Sequence, residues 1–279
     1  MTRKKLGTIQ VDLDGLWTNL EYYGHKAEVI PDQVFESSIP RFLDLFERHD
    51  VKATFFLVGK DGEVDQKKKL VKELVKAGHE IANHTYSHTF GLRNLTREEK
   101  IKEIEKGEAV IKKITGKNPV GFKAPGYDVD PEILRLLEKK GYLYDSSIIP
   151  TFAYPLIMSL NRLISGGIKR THGPKLVWGL APNKPYHPSL RTEWKQGKSQ
   201  ILELPCSVMP LFRLPYHFTF ATKFGMNYFN FAYNLAKRKK SPLNYEFHAA
   251  DLSDNITDKR MAHLESISFK KRNIVFNKI

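Results

Sequence analysis

The feature that most constrains the fold of this chain is a regular alternation between short apolar stretches and longer helical patterns. Because a helix commonly returns the chain between parallel strands, this alternation is typical of α/β proteins. Seven strand-like stretches predict an α/β fold of the distorted (β/α)7 barrel type, closed or nearly closed. The predicted strands are residues 6–14, 53–58, 80–83, 120–124, 142–146, 201–205 and 243–249, and the predicted helices are residues 31–50, 65–77, 96–114, 131–140 and 224–239.

Polar side chains collect at or just past the ends of the predicted strands. They include Asp12, Asp14, His84, His88, Lys123, Asp145 and His248. In barrels of this architecture the carboxyl ends of the strands meet at one face, which carries the catalytic groups. The sequence therefore predicts one polar site at that face.

Two histidines in this set, His84 and His88, are four residues apart. On one helical turn this spacing would put both imidazoles on the same face, where they could hold a divalent first-row metal. A catalytic metal needs a third protein ligand and an open position. Asp12 and Asp14 are two residues apart on a predicted strand, so both carboxylates point to one side and can complete the ligand set.

The alternation is interrupted by a long insert at residues 152–199. Its apolar start, residues 152–164, precedes Lys169 and Arg170, and an aromatic-rich stretch at 212–233 precedes a basic run at 237–240. Such segments suit an anionic membrane interface, but they equally suit a barrel rim or an oligomer contact. We expect residues 1–279 to form one catalytic domain with a basic extension from about residue 255.

The chain carries a formal net charge of +14, which is compatible with nucleic acid, an anionic membrane, an anionic substrate or a solvated lysine-rich surface. We expect no nucleic-acid partner, because no binding motif is present. No apolar run is long enough for a transmembrane helix, and the first residues do not read as an export signal. The single cysteine, Cys206, suits a reducing compartment, so the expected location is cytoplasmic.

An ordered set of short motifs resembles the polysaccharide deacetylase family, the NodB-like or carbohydrate esterase family 4 proteins. The matching stretches are residues 11–15 (VDLDG), 53–56 (ATFF), 83–88 (NHTYSH), 123–127 (KAPGY) and 247–248 (FH). The resemblance implies a distorted barrel and metal-dependent hydrolysis of an N-acyl group on an amino sugar. Two positions depart from the usual pattern, because Leu13 separates the two aspartates and Lys123 stands where the family usually has arginine.

The resemblance also implies roles for individual residues. Asp14, His84 and His88 would hold the metal, Asp12 would be the general base and His248 the general acid. Zinc is the expected metal, with cobalt, nickel or manganese as alternatives. Lys123 would orient the base, and Pro125, Gly126 and Tyr127 would lie against the substrate, with a backbone N–H of Gly126 or Tyr127 donating to the oxyanion.

Two further roles are less tightly defined by the sequence. Asp145 is the expected partner of His248, with Asp251 as a competing candidate. The remaining histidines, His217 among them, are expected to lie at the surface or to be satisfied within the protein.

The expected substrate is an amino sugar with an acetyl or formyl group, in a glycan or on a lipid phosphate at the inner face of a membrane. A barrel that binds a glycan or an anion with little catalysis is the alternative. A basic nucleic-acid-binding protein is the weaker one, and the acyl group, sugar and oligomeric state stay open.

Overall fold

The computed structural model describes residues 7–22, 25–154, 156, 173–254 and 267–278. Within these ranges the strands are β1 Gly7–Leu13, β2 Thr54–Leu57, β3 Glu80–Asn83, β4 Gly121–Phe122, β5 Tyr144–Asp145, β6 Pro188–Ser189, β7 Thr192–Gln196, β8 Leu202–Glu203 and β9 Leu243–His248. The helices are α1 Leu16–Tyr22, α2 Gln33–Arg48, α3 Gly59–Glu63, α4 Asp65–Lys76, α5 Arg97–Thr115, α6 Pro131–Lys139, α7 Phe218–Phe224, α8 Met226–Arg238 and α9 Phe269–Phe276.

Seven strands form one curled parallel sheet in the order β8-β5-β4-β3-β2-β1-β9. Each of the seven predicted strands is found in this sheet, so the expected α/β barrel architecture is confirmed. β1 lies next to the edge strand β9 and pairs with it over six residues. The carboxyl ends of the strands therefore meet at one face, so the polar residues at these ends lie on the same side of the sheet.

The two edge strands, β8 and β9, do not pair with each other. The segment after β8 is instead bound to the start of β9 through Asn244, whose Nδ2 donates to the Leu204 carbonyl at 2.8 Å. The Ser207 amide donates to the Asn244 carbonyl at 3.0 Å. The barrel is thus closed here by side-chain and loop hydrogen bonds rather than by a strand ladder.

The helix ends follow the capping signals in the sequence. Thr96 accepts from the Glu99 amide and Glu99 accepts from the Thr96 amide, which is the capping box expected before α5. The predicted helix at 224–239 begins later, because Gly225 has a φ of 87° and separates α7 from α8. The short helices α1 and α3 were not predicted, since each has too few residues to show a helical period.

The main core packs aromatic rings from both ends of the chain against the sheet. Phe42 of α2 makes edge contacts with Phe55 of β2, Phe247 of β9 and Phe276 of α9 at centroid distances of 6.0, 5.7 and 5.6 Å. Rings in such edge arrangements contribute beyond the apolar area they bury. Part of the basic C-terminal extension thus belongs to the core through α9.

The insert contains an antiparallel hairpin, β6 and β7, and a buried tryptophan. The Trp178 indole donates to Glu193 at 2.9 Å, which fixes the hairpin to the preceding 3₁₀ turn. Most of the predicted apolar segment at 152–164, with Lys169 and Arg170, lies outside the described residues. The single-domain organisation and the bounds of the insert stay predictions.

In the aromatic stretch at 212–233, Phe218 and Phe229 are buried core residues, whereas Phe212, Phe224 and Phe231 are exposed. Only part of this stretch is therefore available to a membrane surface, and membrane contact stays a prediction. Among the described residues, no helix is long and apolar enough to cross a membrane.

Candidate active site

The site is built on the end of β1, where the chain supplies two carboxylates in succession. Asp12 is buried on β1, in register with His248 on β9 and with Phe56 on β2. Asp14 follows the last residue of β1. Residues two apart on an extended chain point to the same side, so both carboxylates face the interior of the site.

His84 and His88 come together through a tight loop, and the expectation that they share a helical turn is wrong. The segment after β3 is irregular, with positive φ at Thr85 (62°) and His88 (50°). The Thr85 hydroxyl accepts from the His88 amide at 3.2 Å, and the Thr85 carbonyl accepts from the Gly59 amide at 2.9 Å. These bonds hold the two rings 5.0 Å apart between centroids.

Asp14, His84 and His88 have the geometry of a metal ligand set. Asp14 Oδ1 lies 3.5 Å from His84 Nε2 and 3.3 Å from His88 Nε2. Ligand atoms around a tetrahedral zinc ion are about 3.3 Å apart. Asp14 Oδ1 is also buried without a hydrogen-bond partner among the described residues. These residues therefore fit a divalent cation.

The electrostatics and the outer contacts of this triad are consistent with that assignment. Burial alone would raise the pKa of Asp14, but the His88 and His84 imidazoles hold it well below its usual range. His84 Nδ1 donates to the Lys123 carbonyl at 2.7 Å, so the neutral ring would carry its lone pair on Nε2, the nitrogen that faces Asp14. The His84 tautomer is thus the one a metal requires.

Lys123 follows β4 and lies fully buried between two carboxylates. Its Nζ donates to Asp12 Oδ1 at 2.8 Å and to Glu246 Oε2 at 2.7 Å. Burial opposes its charge, but Asp12 and Glu246 raise the pKa of Lys123 above its usual value. Lysine therefore contacts the Asp12 carboxylate directly, although it lacks the planar fork of arginine.

Glu246 is a site residue that sequence reasoning missed. Besides Lys123, it accepts a hydrogen bond from the Tyr127 hydroxyl and lies 3.8 Å from His248 Nε2. Burial would raise the pKa of Glu246, but Lys123 lowers it below its usual range, so the carboxylate is charged. Its position two residues before His248 on the same strand is the signal that could have found it.

Cys206 is buried in an apolar core cluster close to the site. Burial, followed by the charge of Glu246, raises the pKa of the Cys206 thiol well above its usual value. The thiol therefore stays protonated and adds no negative charge to the site.

Asp12, Glu246 and His248 form a second cluster of metal-competent side chains beside the first. The Lys123 ammonium already binds two of its carboxylates. A second divalent ion would therefore be repelled at close range, and the Asp14 triad is the better metal site.

His248 is the most accessible of the candidate catalytic side chains, with one third of its side chain exposed. Its Nε2 lies 3.9 Å from Asp12 Oδ2, and its Nδ1 lies 3.9 Å from Asp251 Oδ2. Burial would lower the pKa of His248, but Asp12, Glu246 and Asp251 raise it. The imidazole is therefore inclined to keep a proton near neutral pH.

Asp145 does not take the position expected for it. Its carboxylate accepts from the Ser147 hydroxyl at 2.6 Å and pairs with Glu203 of the neighbouring strand β8. Asp251 occupies the expected place instead, because it accepts from the His248 amide at 2.8 Å and faces the ring. The physical reason is sheet order, since β5 and β9 are not neighbours.

Asp145 is linked to the segment after β4 through a chain of two hydrogen bonds. The Ala124 amide donates to the Ser147 hydroxyl at 2.8 Å, and Ser147 donates to Asp145. Burial and the Asp145 charge raise the pKa of Glu203 well above its usual range, so Glu203 carries the proton of the pair. This chain holds the segment that carries Lys123 and Pro125.

Residues 125–127 form a 3₁₀ turn directly after Lys123. Gly126 and Tyr127 both have positive φ, 59° and 60°, which turns the chain sharply beside the site. The Tyr127 amide already donates to the Ala124 carbonyl at 3.1 Å. An oxyanion would have to compete with the Ala124 carbonyl for the Tyr127 amide. The Tyr127 hydroxyl already donates to Glu246.

Taken together, the carboxyl ends of β1, β3, β4 and β9 bring Asp12, His248, Lys123 and the Asp14 triad into one cluster. The Lys123 ammonium binds Asp12, His248 lies close to the Asp12 carboxylate, and the Asp14 triad lies beside both residues. Such a set suits hydrolysis of an amide with a metal-assisted nucleophile.

Comparison with known proteins places the middle of the chain in a defined family. Residues 29–144 match the family model described as polysaccharide deacetylase. This segment includes His84, His88 and Lys123, whereas both aspartates of β1 and the histidine of β9 lie outside it.

Curated relatives resemble the chain over part of its length. A peptidoglycan deacetylase of Helicobacter pylori is 33% identical over 158 residues, which are 53% of this chain and 51% of the relative. A peptidoglycan-N-acetylglucosamine deacetylase of Bacillus cereus is 34% identical over 133 residues, 42% of this chain and 46% of the relative. The chain thus spans about half the length of these relatives.

A solved structure shares the fold over almost the whole chain. A putative polysaccharide deacetylase from Mycobacterium smegmatis superposes with a TM-score of 0.59 and 18% identity, covering 99% of this chain and 91% of that one. At this identity the likeness shows the fold alone. The family match over residues 29–144 and the curated relatives show that the chain is similar to polysaccharide deacetylases in this part of its sequence.

Proposed function

We propose that this chain is a metal-dependent hydrolase that removes an N-acyl group, acetyl or formyl, from an amino sugar. The observation that carries the proposal is the junction of the Asp14, His84 and His88 triad with Asp12 and His248 at one face of the barrel. The match to the polysaccharide deacetylase family model supports deacylation of a sugar. The position of His248, which could protonate a departing amine, supports an amide as the bond that is cleaved.

Asp14, His84 and His88 would hold the metal, and zinc is the metal expected for two histidines and one aspartate. Cobalt, nickel and manganese suit the same ligands. A bound divalent ion lowers the pKa of water and polarises a carbonyl oxygen. The Nδ1 bond of His84 to the Lys123 carbonyl leaves Nε2 as the nitrogen that would bind the metal.

Asp12 would act as the general base, accepting a proton from the attacking water as the new C–O bond forms. The Lys123 ammonium binds Asp12 Oδ1 and leaves Oδ2 directed toward His84 and His248. The hydrogen bond from Lys123 thus fixes the orientation of the Asp12 carboxylate.

His248 would act as the general acid when the C–N bond breaks. Its Nε2 gives a proton to the departing amine nitrogen, which would otherwise leave as an unstable anion. Asp251 and Glu246 favour the protonated imidazole, and the partly exposed ring can reach a bound substrate. The reaction releases the free amine and a carboxylate.

The substrate class follows from the family and from the chemistry of the site. The curated relatives are named for peptidoglycan and its N-acetylglucosamine, so an N-acetylated or N-formylated amino sugar in a glycan is the first candidate. A lipid-phosphate-linked amino sugar is the finer proposal. It is supported by exposed Phe224 and Phe231 next to the exposed basic residues 237–240.

The test is release of acetate and formate from a panel of N-acylated amino sugars. The panel contains N-acetylglucosamine oligomers, peptidoglycan fragments and lipid-phosphate-linked sugars, each with and without chelator. We expect release that chelator abolishes, that zinc restores and that Asp12→Asn lowers by at least about 100-fold. Absence of release from every substrate by metal-loaded protein would favour a glycan- or anion-binding barrel without catalysis.

The membrane contact is tested separately by sedimentation with anionic vesicles. We expect binding at low salt that falls with added salt and falls again in Phe224→Ser/Phe231→Ser. Leu143→Ser is the control, because Leu143 is exposed but remote in sequence from the basic run. Protein that stays in the supernatant at low salt would contradict the contact. The cytoplasmic location stays a prediction, which cell fractionation checks.

A further inference from the structure

His217 is a buried histidine that takes no part in the reaction described above. It directly precedes α7, whose first residue Phe218 is fully buried and anchors the backbone. The His217 residue is 4% exposed, and its ring packs against Phe220 with a centroid distance of 5.0 Å. His217 is therefore not a surface histidine.

Both ring nitrogens of His217 are buried without a hydrogen-bond partner in the described part of the chain. Among the other buried histidines, His79 Nδ1 accepts from the Ala53 amide at 3.1 Å and His84 Nδ1 donates to the Lys123 carbonyl at 2.7 Å, whereas one nitrogen of His88, Nδ1, is also unpartnered among the described residues. Buried polar groups nearly always have a partner, because leaving one unmet is costly. His217 therefore has unused hydrogen-bonding capacity.

His217 lies beside the active site, because the ring of the next residue, Phe218, packs with a centroid distance of 5.1 Å on Phe247, the residue between Glu246 and His248. Burial lowers the pKa of His217 to about 4, and the charges of Glu246, His248 and Lys123 all act on the ring. His217 also acts on Glu246. Burial raises the pKa of Glu246, whereas Lys123 and, to a smaller extent, His217 lower it. At neutral pH the ring is uncharged and offers one N–H donor and one lone pair.

We propose that His217 is a substrate-contacting residue that hydrogen-bonds a sugar hydroxyl next to the scissile amide. This inference rests on the proposed function. A hydroxyl group donates and accepts, so it matches either nitrogen of a neutral imidazole. A carboxylate or phosphate would be a poorer match, because an uncharged ring with Glu246 nearby offers it no positive charge.

The first experiment compares His217→Phe and His217→Gln in release of acetate from N-acetylglucosamine oligomers. Loss of a neutral hydrogen bond changes affinity by about tenfold. We expect His217→Phe to raise KM about tenfold with a smaller change in kcat, and His217→Gln to recover part of the loss because glutamine keeps a donor and an acceptor. Zinc affinity, measured by calorimetry, is expected to be unchanged in both variants.

His79→Gln is the matched control, because His79 is also buried but accepts from the Ala53 amide. His79 and Ala53 directly precede strands, at the end of the sheet opposite the site. We expect it to lower thermal stability without raising KM. A KM that rises equally in His79→Gln and His217→Phe would indicate general loss of structure and would overturn the inference.

The second experiment measures direct binding of the same oligomers, by calorimetry, to Asp12→Asn protein with and without His217→Phe. Binding weakened about tenfold by His217→Phe supports the contact even when turnover is absent. Equal binding in the two proteins, or none in either, overturns it. Turnover by the wild-type chain with unchanged KM in His217→Phe would leave the proposed function standing and remove His217 from the site.

Discussion

At the scale of single residues, the site depends on one buried cation shared by two carboxylates. Lys123 binds Asp12 and Glu246, and Glu246 also binds the Tyr127 hydroxyl. A lysine can fill this place because Glu246 gives it a second partner, so its ammonium is fixed from two sides. Removing a partner from such a buried set leaves an uncompensated charge.

We expect Lys123→Met to lose at least about 100-fold in kcat/KM and about 3–5 kcal/mol in unfolding free energy, because Asp12 and Glu246 would then repel each other in a buried site. Urea unfolding and acetate release measure the two effects. The double variant Lys123→Met/Glu246→Gln removes one carboxylate and should regain part of the stability. Wild-type stability in Lys123→Met would show that the cluster is not charged as described.

A second prediction at this scale concerns pH. Against burial, the Asp12, Glu246 and Asp251 carboxylates raise the pKa of His248. Since the general acid must be protonated, kcat/KM should fall as the pH rises through that pKa. Asp251→Asn removes one of the raising charges and keeps an acceptor for the His248 amide, so the alkaline limb should move to lower pH.

The pH dependence of kcat/KM for the wild type, Asp251→Asn and the exposed control Asp44→Asn checks this prediction. An alkaline limb that does not move in Asp251→Asn would assign the titration to another group.

At the scale of elements, the loop with the two histidines is positioned by close packing against α5. A Cβ on Gly107 of α5 would lie 2.4 Å from Asn83 Oδ1 and 3.1 Å from the Thr85 carbonyl carbon. Glycine is therefore required where the helix passes the loop, although it weakens the helix itself. The loop bears His84 and His88, so its position sets the metal site.

We expect Gly107→Ala to weaken zinc binding at least tenfold, even though alanine favours the helix by up to about 1 kcal/mol. The added methyl group pushes Asn83 and Thr85 away from α5 and separates the two imidazoles. Calorimetric titration with zinc measures the change. Lys112→Ala, on the exposed side of α5, should bind zinc as the wild type does, and equal binding in Gly107→Ala would contradict the packing argument.

The same scale shows what the sequence could and could not predict. The sheet followed from the strand pattern, because the longer strands bury apolar residues such as Val11, Phe55 and Phe247. The histidine loop did not, because the positive φ values of Thr85 and His88 leave no periodic trace. Asp145 was misassigned because its partner, Glu203, becomes a neighbour only through the strand order. Glu246 and His217 were overlooked because their roles depend on contacts between distant elements.

At the scale of the whole molecule, the metal site should contribute to stability. A ligand that binds only the folded chain adds about 2.7 kcal/mol at a concentration of 100 times its Kd. We expect zinc to raise the thermal midpoint, chelator to reverse the rise, and His84→Asn to abolish it. A zinc effect of equal size in His84→Asn would place the bound ion elsewhere.

The order in which the sheet is built has a consequence for how activity arises during folding. Asp14, His84 and His88, the proposed metal ligands, lie in the loops that follow β1 and β3, and these two strands neighbour β2 on either side. The acid, His248, comes from β9, which must cross a long stretch of chain to pair with β1. Contacts between such distant residues form slowly.

Refolding should therefore restore the two halves of the site at different times. Stopped-flow measurement with a zinc-sensitive dye should show metal uptake before acetate release returns. The metal site would then form early in folding, and hydrolysis would begin only after β9 has paired with β1.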